Sequence, residues 1–398
     1  MLAMRPGVAK PAHDGGSILG YGAASLKPAE TAPLTDPFSS LALARGPAWK
    51  NRFMLAPLTN TQSHPDGRLS DEEFHWLTMR AKGGFGLVMT CASHVQRQGQ
   101  GFPGQLGVYA DDHLPGLRRL ATQIKADGAV ASLQLHHAGI RSPRHLIGET
   151  PVGPSEDSET GARALTTGEV ETLIEDFVAA AARAERAGFD GVEIHGAHGY
   201  ILCAFLSPET NRRTDDYGGS PQNRARVVRR IIAGIRTRCR PDFQLGLRLS
   251  PERFGLVMGE IRALAADLLL AGGDLDFLDM SLWDAFKAPI DEAYATRPLI
   301  DWFSELPRGA TRLGAAGKIT SGVSVRRLFD SGADFAIIGR AAVLHHDFPR
   351  RVAADGDFQP IALPVSREHL RREGLSPAFV EYMNGWKGFV AEVVEAPA

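Results

Sequence analysis

The residues best suited to chemistry sit in one short run, Asp190 to Tyr200, DGVEIHGAHGY. Gly191-Val192-Glu193-Ile194 reads as a buried strand that runs straight into His195. A glycine-punctuated turn then carries His198 and Tyr200. Two imidazoles and a phenol are offered from one strand end, where an α/β barrel places its reacting groups. The histidines admit three readings: a mutually satisfied structural pair, two metal ligands, or two neutral N–H donors aimed at a carbonyl oxygen that becomes an enolate. A metal needs a further ligand, and the clustered candidates His136, His137, His345 and His346 match no zinc spacing, so no metal is expected. In the donor reading each N–H contributes about 3 kcal/mol in the transition state. Tyr200 is either a core aromatic with a satisfied hydroxyl or the group that delivers a proton beside that carbonyl.

Other polar residues also stand where strands end. Gln134 and Arg248 are each a structural hydrogen-bonder or part of a site, and Thr59 caps a helix or offers its hydroxyl to a ligand. Gly322 and the pair Gly339-Arg340 follow the last two strand candidates. Such glycines serve tight turns. They also mark where barrels bind phosphate, with backbone N–H groups pointing outward and an arginine forking onto the oxygens.

The elements that must position these groups alternate along the chain. Apolar runs at Arg52–Ala56, Gly86–Thr90, Ala129–Leu135, Gly191–Ile194, Leu245–Leu249, Asp276–Met280, Lys318–Thr320 and Phe335–Ile338 read as strands. Helices are expected between most of them, at Asp71–Lys82, Leu114–Ala126, Thr166–Ala187, from Ser220-Pro221 onward, and at Glu260–Leu270. The third of these has Thr166 and Glu169 in a capping-box pattern and one apolar stripe through Val170, Leu173, Ile174, Phe177, Val178 and Ala181. Strands apolar on both faces belong in a parallel sheet covered on both sides. A (β/α)8 TIM barrel over 41–355 is the economical solution, with a doubly wound open sheet as the alternative. Residues 1–40, rich in Gly, Ala, Pro and Ser, read as a flexible extension. Residues 356–398 carry an aromatic-rich end (Phe379, Tyr382, Trp386, Phe389) expected to pack on the barrel or on a second subunit of a homo-oligomer.

The whole chain is ordinary in bulk: 398 residues, 43% hydrophobic and 23% charged. With 44 basic against 46 acidic residues and no basic run, neither a nucleic-acid nor a membrane partner is expected. The three cysteines are far apart, which fits a reducing cytoplasm and leaves no iron–sulfur cluster. No apolar run resembles a signal peptide or a membrane span.

Over about residues 45–355 the chain resembles the old yellow enzyme family of FMN-dependent NAD(P)H oxidoreductases. The resemblance is carried by DGVEIHGAHGY, by FLSPETNRRTDDYGGSPQNR ending at Arg224, and by NRFMLAPLT, LQLHHAG, LRLSP and IIGRA. It implies non-covalent FMN over the strand C-termini, lined by Pro57, Leu58, Thr59, Ala92, Gln134 and Arg248. It implies further that Gly322, Gly339 and Arg340 hold the phosphate, that His195 and His198 bind a substrate carbonyl, and that Tyr200 donates the proton. The implied reaction is ping-pong reduction of an activated alkene or enone at the expense of NADPH or NADH. A phosphate-binding aldolase or isomerase is the alternative function for such a barrel. Two departures stand out. The HAGR run of many relatives is His137-Ala138-Gly139-Ile140 here, so an arginine is missing from that spot. Thr59 stands where one branch has a cysteine.

Overall fold

The computed structural model describes residues 35–270 and 273–392. Of the extension expected over 1–40, everything before position 35 lies outside them. The centre is a closed parallel barrel. Its strands are β1 (Phe53–Leu55), β2 (Leu87–His94), β3 (Val130–His136), β4 (Gly191–Gly196), β5 (Gln244–Leu249), β6 (Phe277–Ser281), β7 (Arg312–Ala316) and β8 (Phe335–Ile338). Each pairs with its neighbours in chain order and β8 closes on β1. Closure leaves the barrel sheet without an edge and excludes the open doubly wound alternative. The outer layer includes α1 (Asp71–Lys82), α2 (Leu114–Ala126), α3 (Thr167–Arg186), α4 (Arg226–Arg238), α5 (Met258–Leu270) and α6 (Gly322–Asp330). In α3 the Thr166 side chain accepts from the Glu169 N–H while Glu169 reaches back to the Thr166 N–H, so the capping box forms.

One strand lies elsewhere than expected. β7 is Arg312–Ala316, and Lys318-Ile319-Thr320 belongs to the loop beyond it. The reason is steric. At Gly314 a Cβ would come within 2.2 Å of the Phe335 ring, and at Gly246 in β5 within 2.1 Å of the Phe277 ring. Two phenylalanines fill the barrel, so the strands beside them must be thin. A search for bulky apolar runs overlooks a strand such as RLGAA.

The N-terminal end of the barrel is plugged. Leu41 and Trp49 pair antiparallel, and the indole sits edge-on to Phe277 (5.7 Å between centroids) and Phe335 (5.0 Å). Around them Met54, Leu87, Met89, Val130 and Ile337 complete an interior cluster. The Trp49 N–H donates to Gln244 Oε1 at 3.2 Å, and Gln244 donates to the Arg45 and Pro47 carbonyls at 2.8 Å each. A ligand therefore has to enter from the other end. There the chain's last part folds back: α8 (Pro377–Asn384), following α7 (Arg340–Leu344), packs Phe379 on Trp76 of α1 at 5.4 Å. The Ser376 N–H donates to Gln62 Oε1 at 3.0 Å.

Candidate active site

At the C-terminal end of the strands opens a cavity of about 400 Å³, within the range that holds a cofactor or small substrate. Pro57, Leu58 and Thr59 after β1 and Ala92 within β2 form one wall. Gln134 and Arg248 reach it from β3 and β5, while His195, His198 and Tyr200 reach it from β4 and its turn. Gly339 and Arg340 close the end beyond β8.

The histidine wall is tightly built. His195 Nε2 lies 3.1 Å from His198 Nδ1, and His198 Nε2 lies 2.7 Å from Ser281 Oγ at the end of β6. His198 adopts the left-handed region at φ 64°, which aims its ring back at His195, and its N–H donates to Ser250 Oγ. Burial holds both imidazoles well below the usual histidine range; His198, with Arg248 and Arg141 also nearby, falls to about 3. Both are neutral at physiological pH, each with one N–H to give. The Tyr200 ring stands edge-on to His195 (5.2 Å) and to buried His136 (4.4 Å). Burial pushes its phenol up, partly opposed by Arg141, whose guanidinium carbon lies 5.0 Å over the ring. The phenol therefore keeps its proton at neutral pH.

Beneath this wall lies a polar layer. Gln134 Nε2 donates to Glu193 Oε1 at 2.7 Å, and Arg248 Nε lies 3.0 Å from Asp279 Oδ2. Arg248 is 5% exposed, so its charge is held inside the barrel and presented to the cavity.

At the far end the structure brings Gly339 and Arg340 to the cavity but not Gly322. The Gly322 N–H is used by the Phe358 carbonyl, and a Cβ there would sit 2.0 Å from the Gly356 carbonyl oxygen. Its glycine answers to packing. Gly317, directly after β7, takes the place at the cavity wall with φ 150°, a conformation that favours glycine. The correct end of β7 would have pointed to it. Sequence reasoning also passed over Ser281, Trp283 and Arg141, and left Phe379, Tyr382 and Trp386 in a packing role although all three line the cavity. With apolar faces at one side, an amide and a guanidinium beneath, and glycine backbones beside Arg340 at the end, the cavity fits a flat heterocycle bearing an anionic tail. Among the described residues no group of three His, Cys, Asp or Glu side chains is arranged to hold a metal, and no helix is long and apolar enough to cross a membrane.

Comparison with known proteins gives a consistent picture. The family model described as NADH:flavin oxidoreductase / NADH oxidase matches residues 45–272. A probable NADH-dependent flavin oxidoreductase of Bacillus subtilis strain 168 is 36% identical over 331 residues, 80% of this chain and 87% of that one. An NADPH dehydrogenase of Bacillus pumilus strain SAFR-032 is 34% identical over 78% of this chain and 92% of its own. Among solved structures, the old yellow enzyme homologue from Zymomonas mobilis superposes with a TM-score of 0.73 at 26% identity, covering 87% of this chain and 99% of that one.

Proposed function

This chain belongs to the NADH:flavin oxidoreductase / NADH oxidase family, and we propose that its site reduces the activated C=C bond of α,β-unsaturated carbonyl compounds. It is an FMN-dependent NAD(P)H oxidoreductase of the old yellow enzyme type. That membership sets aside the aldolase or isomerase alternative. The observation that carries the proposal is the neutral histidine pair, 3.1 Å apart, beside a phenol that retains its proton.

In this reading Pro57, Leu58, Thr59 and Ala92 wall the isoalloxazine ring. Gln134 would serve its pyrimidine edge, and the Arg248 charge would stabilise negative charge on the reduced ring. Gly339 and Arg340, joined by Gly317, hold the phosphate. When bound, FMN supplies two-electron transfer from NAD(P)H to the β-carbon of the alkene. The protein's own part is to bind and polarise. His195 through Nε2 and His198 through Nδ1, the latter with Ser281 Oγ donating to its Nε2, each give one N–H to the substrate oxygen, where charge grows in the transition state. Tyr200 gives its proton to the neighbouring α-carbon. Trp283, Trp386 and Phe102 rim the cavity and keep water from the reacting carbons. NAD(P)H and the alkene use one site in turn, so the kinetics are ping-pong.

Stopped-flow measurement separates the two half-reactions. Replacing His195 and His198 together by alanine lowers reoxidation by enones, maleimides, nitroalkenes or quinones by at least about a hundredfold, from about 3 kcal/mol per donor. Reduction by NAD(P)H changes little. Equal losses in both halves, or no reoxidation of the wild type by any of these acceptors, would refute the proposal.

A further inference from the structure

Two carboxyl groups in the barrel interior take no part in the reaction above. Glu193 on β4 and Asp279 on β6 are 0% exposed and do not line the cavity. They are joined to it by the residues that do. Gln134 is the register partner of Glu193 and donates to its Oε1 at 2.7 Å. Arg248 is the register partner of Asp279, with Nε 3.0 Å from Oδ2. Between the two carboxyls runs β5, where Gly246 stands opposite Glu193 and adds no side chain to keep them apart.

Two ionised carboxylates facing one guanidinium in a buried layer, reached from the cavity past Gln134 and Arg248, leave one negative charge uncompensated. The contacts say the same. With both ionised, Glu193 Oε2 and both Asp279 oxygens are buried acceptors that receive no aligned hydrogen bond among the described residues, although Arg248 Nε lies 3.0 Å from Oδ2 as an ion pair. A proton on Glu193 supplies the donor that Asp279 lacks. Burial raises Glu193 far above the carboxylate range and the Asp279 charge adds to it, while Arg248 and Gln134 oppose both. Burial also raises Asp279, held back by Arg248 and the Glu193 hydroxyl. His195, farther along β4, is neutral and contributes no charge. At rest the layer sums to zero: Arg248 positive, Asp279 negative, Glu193 protonated. The Arg248 charge is therefore largely spent on Asp279.

We propose that Glu193 and Asp279 form a proton-binding pair beneath the FMN site, holding one proton when the cofactor is oxidised and two when it is reduced. A hydride from NAD(P)H brings two electrons and one proton, hence one negative charge, to the cavity above Arg248. Asp279 then takes one proton from solvent and forms one O–H bond. The layer becomes +1 and offsets that charge, and the proton is released when the alkene carries the electrons away. The inference rests on Arg248 lying beside the ring in the proposed function. Glu193 and Asp279 are positioning residues: they act through Arg248.

The test is the FMN midpoint potential as a function of pH in wild type, Asp279→Asn and Glu193→Gln. One proton fewer per two electrons removes a tenfold change per pH unit, about 30 mV. Asp279→Asn is expected to lose that much slope and to have a higher potential at neutral pH, because Arg248 is left uncompensated. Glu193→Gln, which still donates to Asp279, keeps the slope. Identical slopes in wild type and Asp279→Asn overturn the proposal. Should Asp279→Asn fail to fold, infrared difference spectra of the wild type decide: reduction must add a carboxylic-acid band that shifts in D2O, and its absence overturns the proposal. In the apoprotein at neutral pH a resting carboxylic-acid band must be present and vanish in Glu193→Gln. This arm needs no cofactor. An apoprotein band with no proton uptake on reduction therefore refutes the switch alone, whereas failure of the wild type to bind FMN refutes the functional reading.

Discussion

The two ends of the barrel are made from the same strands and are finished in opposite ways. At the N-terminal end Trp49, Phe277 and Phe335 interlock, and the one indole N–H and the Gln244 amide both find partners. At the C-terminal end, buried atoms of His136, His137, His195, Glu193 and Asp279 have no hydrogen-bond partner among the described residues. The backbone divides the same way. Among the described residues, the non-glycine positions with positive φ are Thr61, His198, Arg253, Phe254, Trp283 and Lys318, and every one lies in a loop that follows a barrel strand. Unpaired polar groups and left-handed backbone each destabilise by about 1–3 kcal/mol. His195 and the left-handed residues lie at the open end, where the cavity is, while the plugged end supplies stability.

The sharpest way to break the contrast is to remove the plug. Trp49→Ala deletes a fully buried indole and is expected to lower the unfolding free energy by about 3–5 kcal/mol. The folded fraction should still bind FMN with unchanged affinity, because the cavity lies at the other end. Urea denaturation followed alongside flavin titration checks both halves. A large loss of FMN affinity with little loss of stability would mean that the two ends are not separate.

Acid probes the opposite end. His137 is wholly buried, accepts from the Gly139 N–H through Nδ1, and burial lowers it to about 3. The unfolded chain binds a proton near pH 6.5 that the folded chain refuses. Stability is therefore complete above that pH and falls as the pH drops from about 6.5 toward 3. At pH 5 one such histidine subtracts about 2 kcal/mol. His94, lowered to about 4, adds to the effect in the same direction. His137→Asn can still accept from Gly139 and has nothing to titrate. It should lose less stability than the wild type between pH 7.5 and pH 5. If both lose the same, His137 is not the source.

How far the sequence could be read follows from the range of the interactions involved. The helices were legible because their signals are local: α3 declares itself through a capping box and an apolar stripe, and both are present. The clustering of His195, His198 and Tyr200 at one wall of the cavity was legible because they are neighbours in the chain. β7 was not, since its small residues make sense only beside the Phe335 ring, and with β7 displaced Gly317 was lost as well. The Glu193–Asp279 pair meets across β5, and no spacing along one strand announces such a contact. The C-terminal aromatics were visible as a cluster, but their place over the cavity depends on Phe379 meeting Trp76.

Arg141 gives the smallest and most discriminating effect. Ile140 follows His137-Ala138-Gly139, and Arg141 is the next residue. Arg141 Nη1 donates to the His198 carbonyl at 2.6 Å while its guanidinium lies over the Tyr200 ring. It is exposed, so water screens it and the contact is worth only about 0.5–1 kcal/mol. Its charge nevertheless makes the Tyr200 phenol a better acid than burial alone would allow. Arg141→Gln should slow reoxidation by an enone about two- to fivefold, with reduction by NAD(P)H unchanged, because only the former needs the Tyr200 proton. Arg141→Lys should recover part of the rate by restoring charge without the planar contact. A loss beyond a hundredfold, or one shared by both half-reactions, would mean that Arg141 holds the His198 turn in place and that the charge over Tyr200 is incidental.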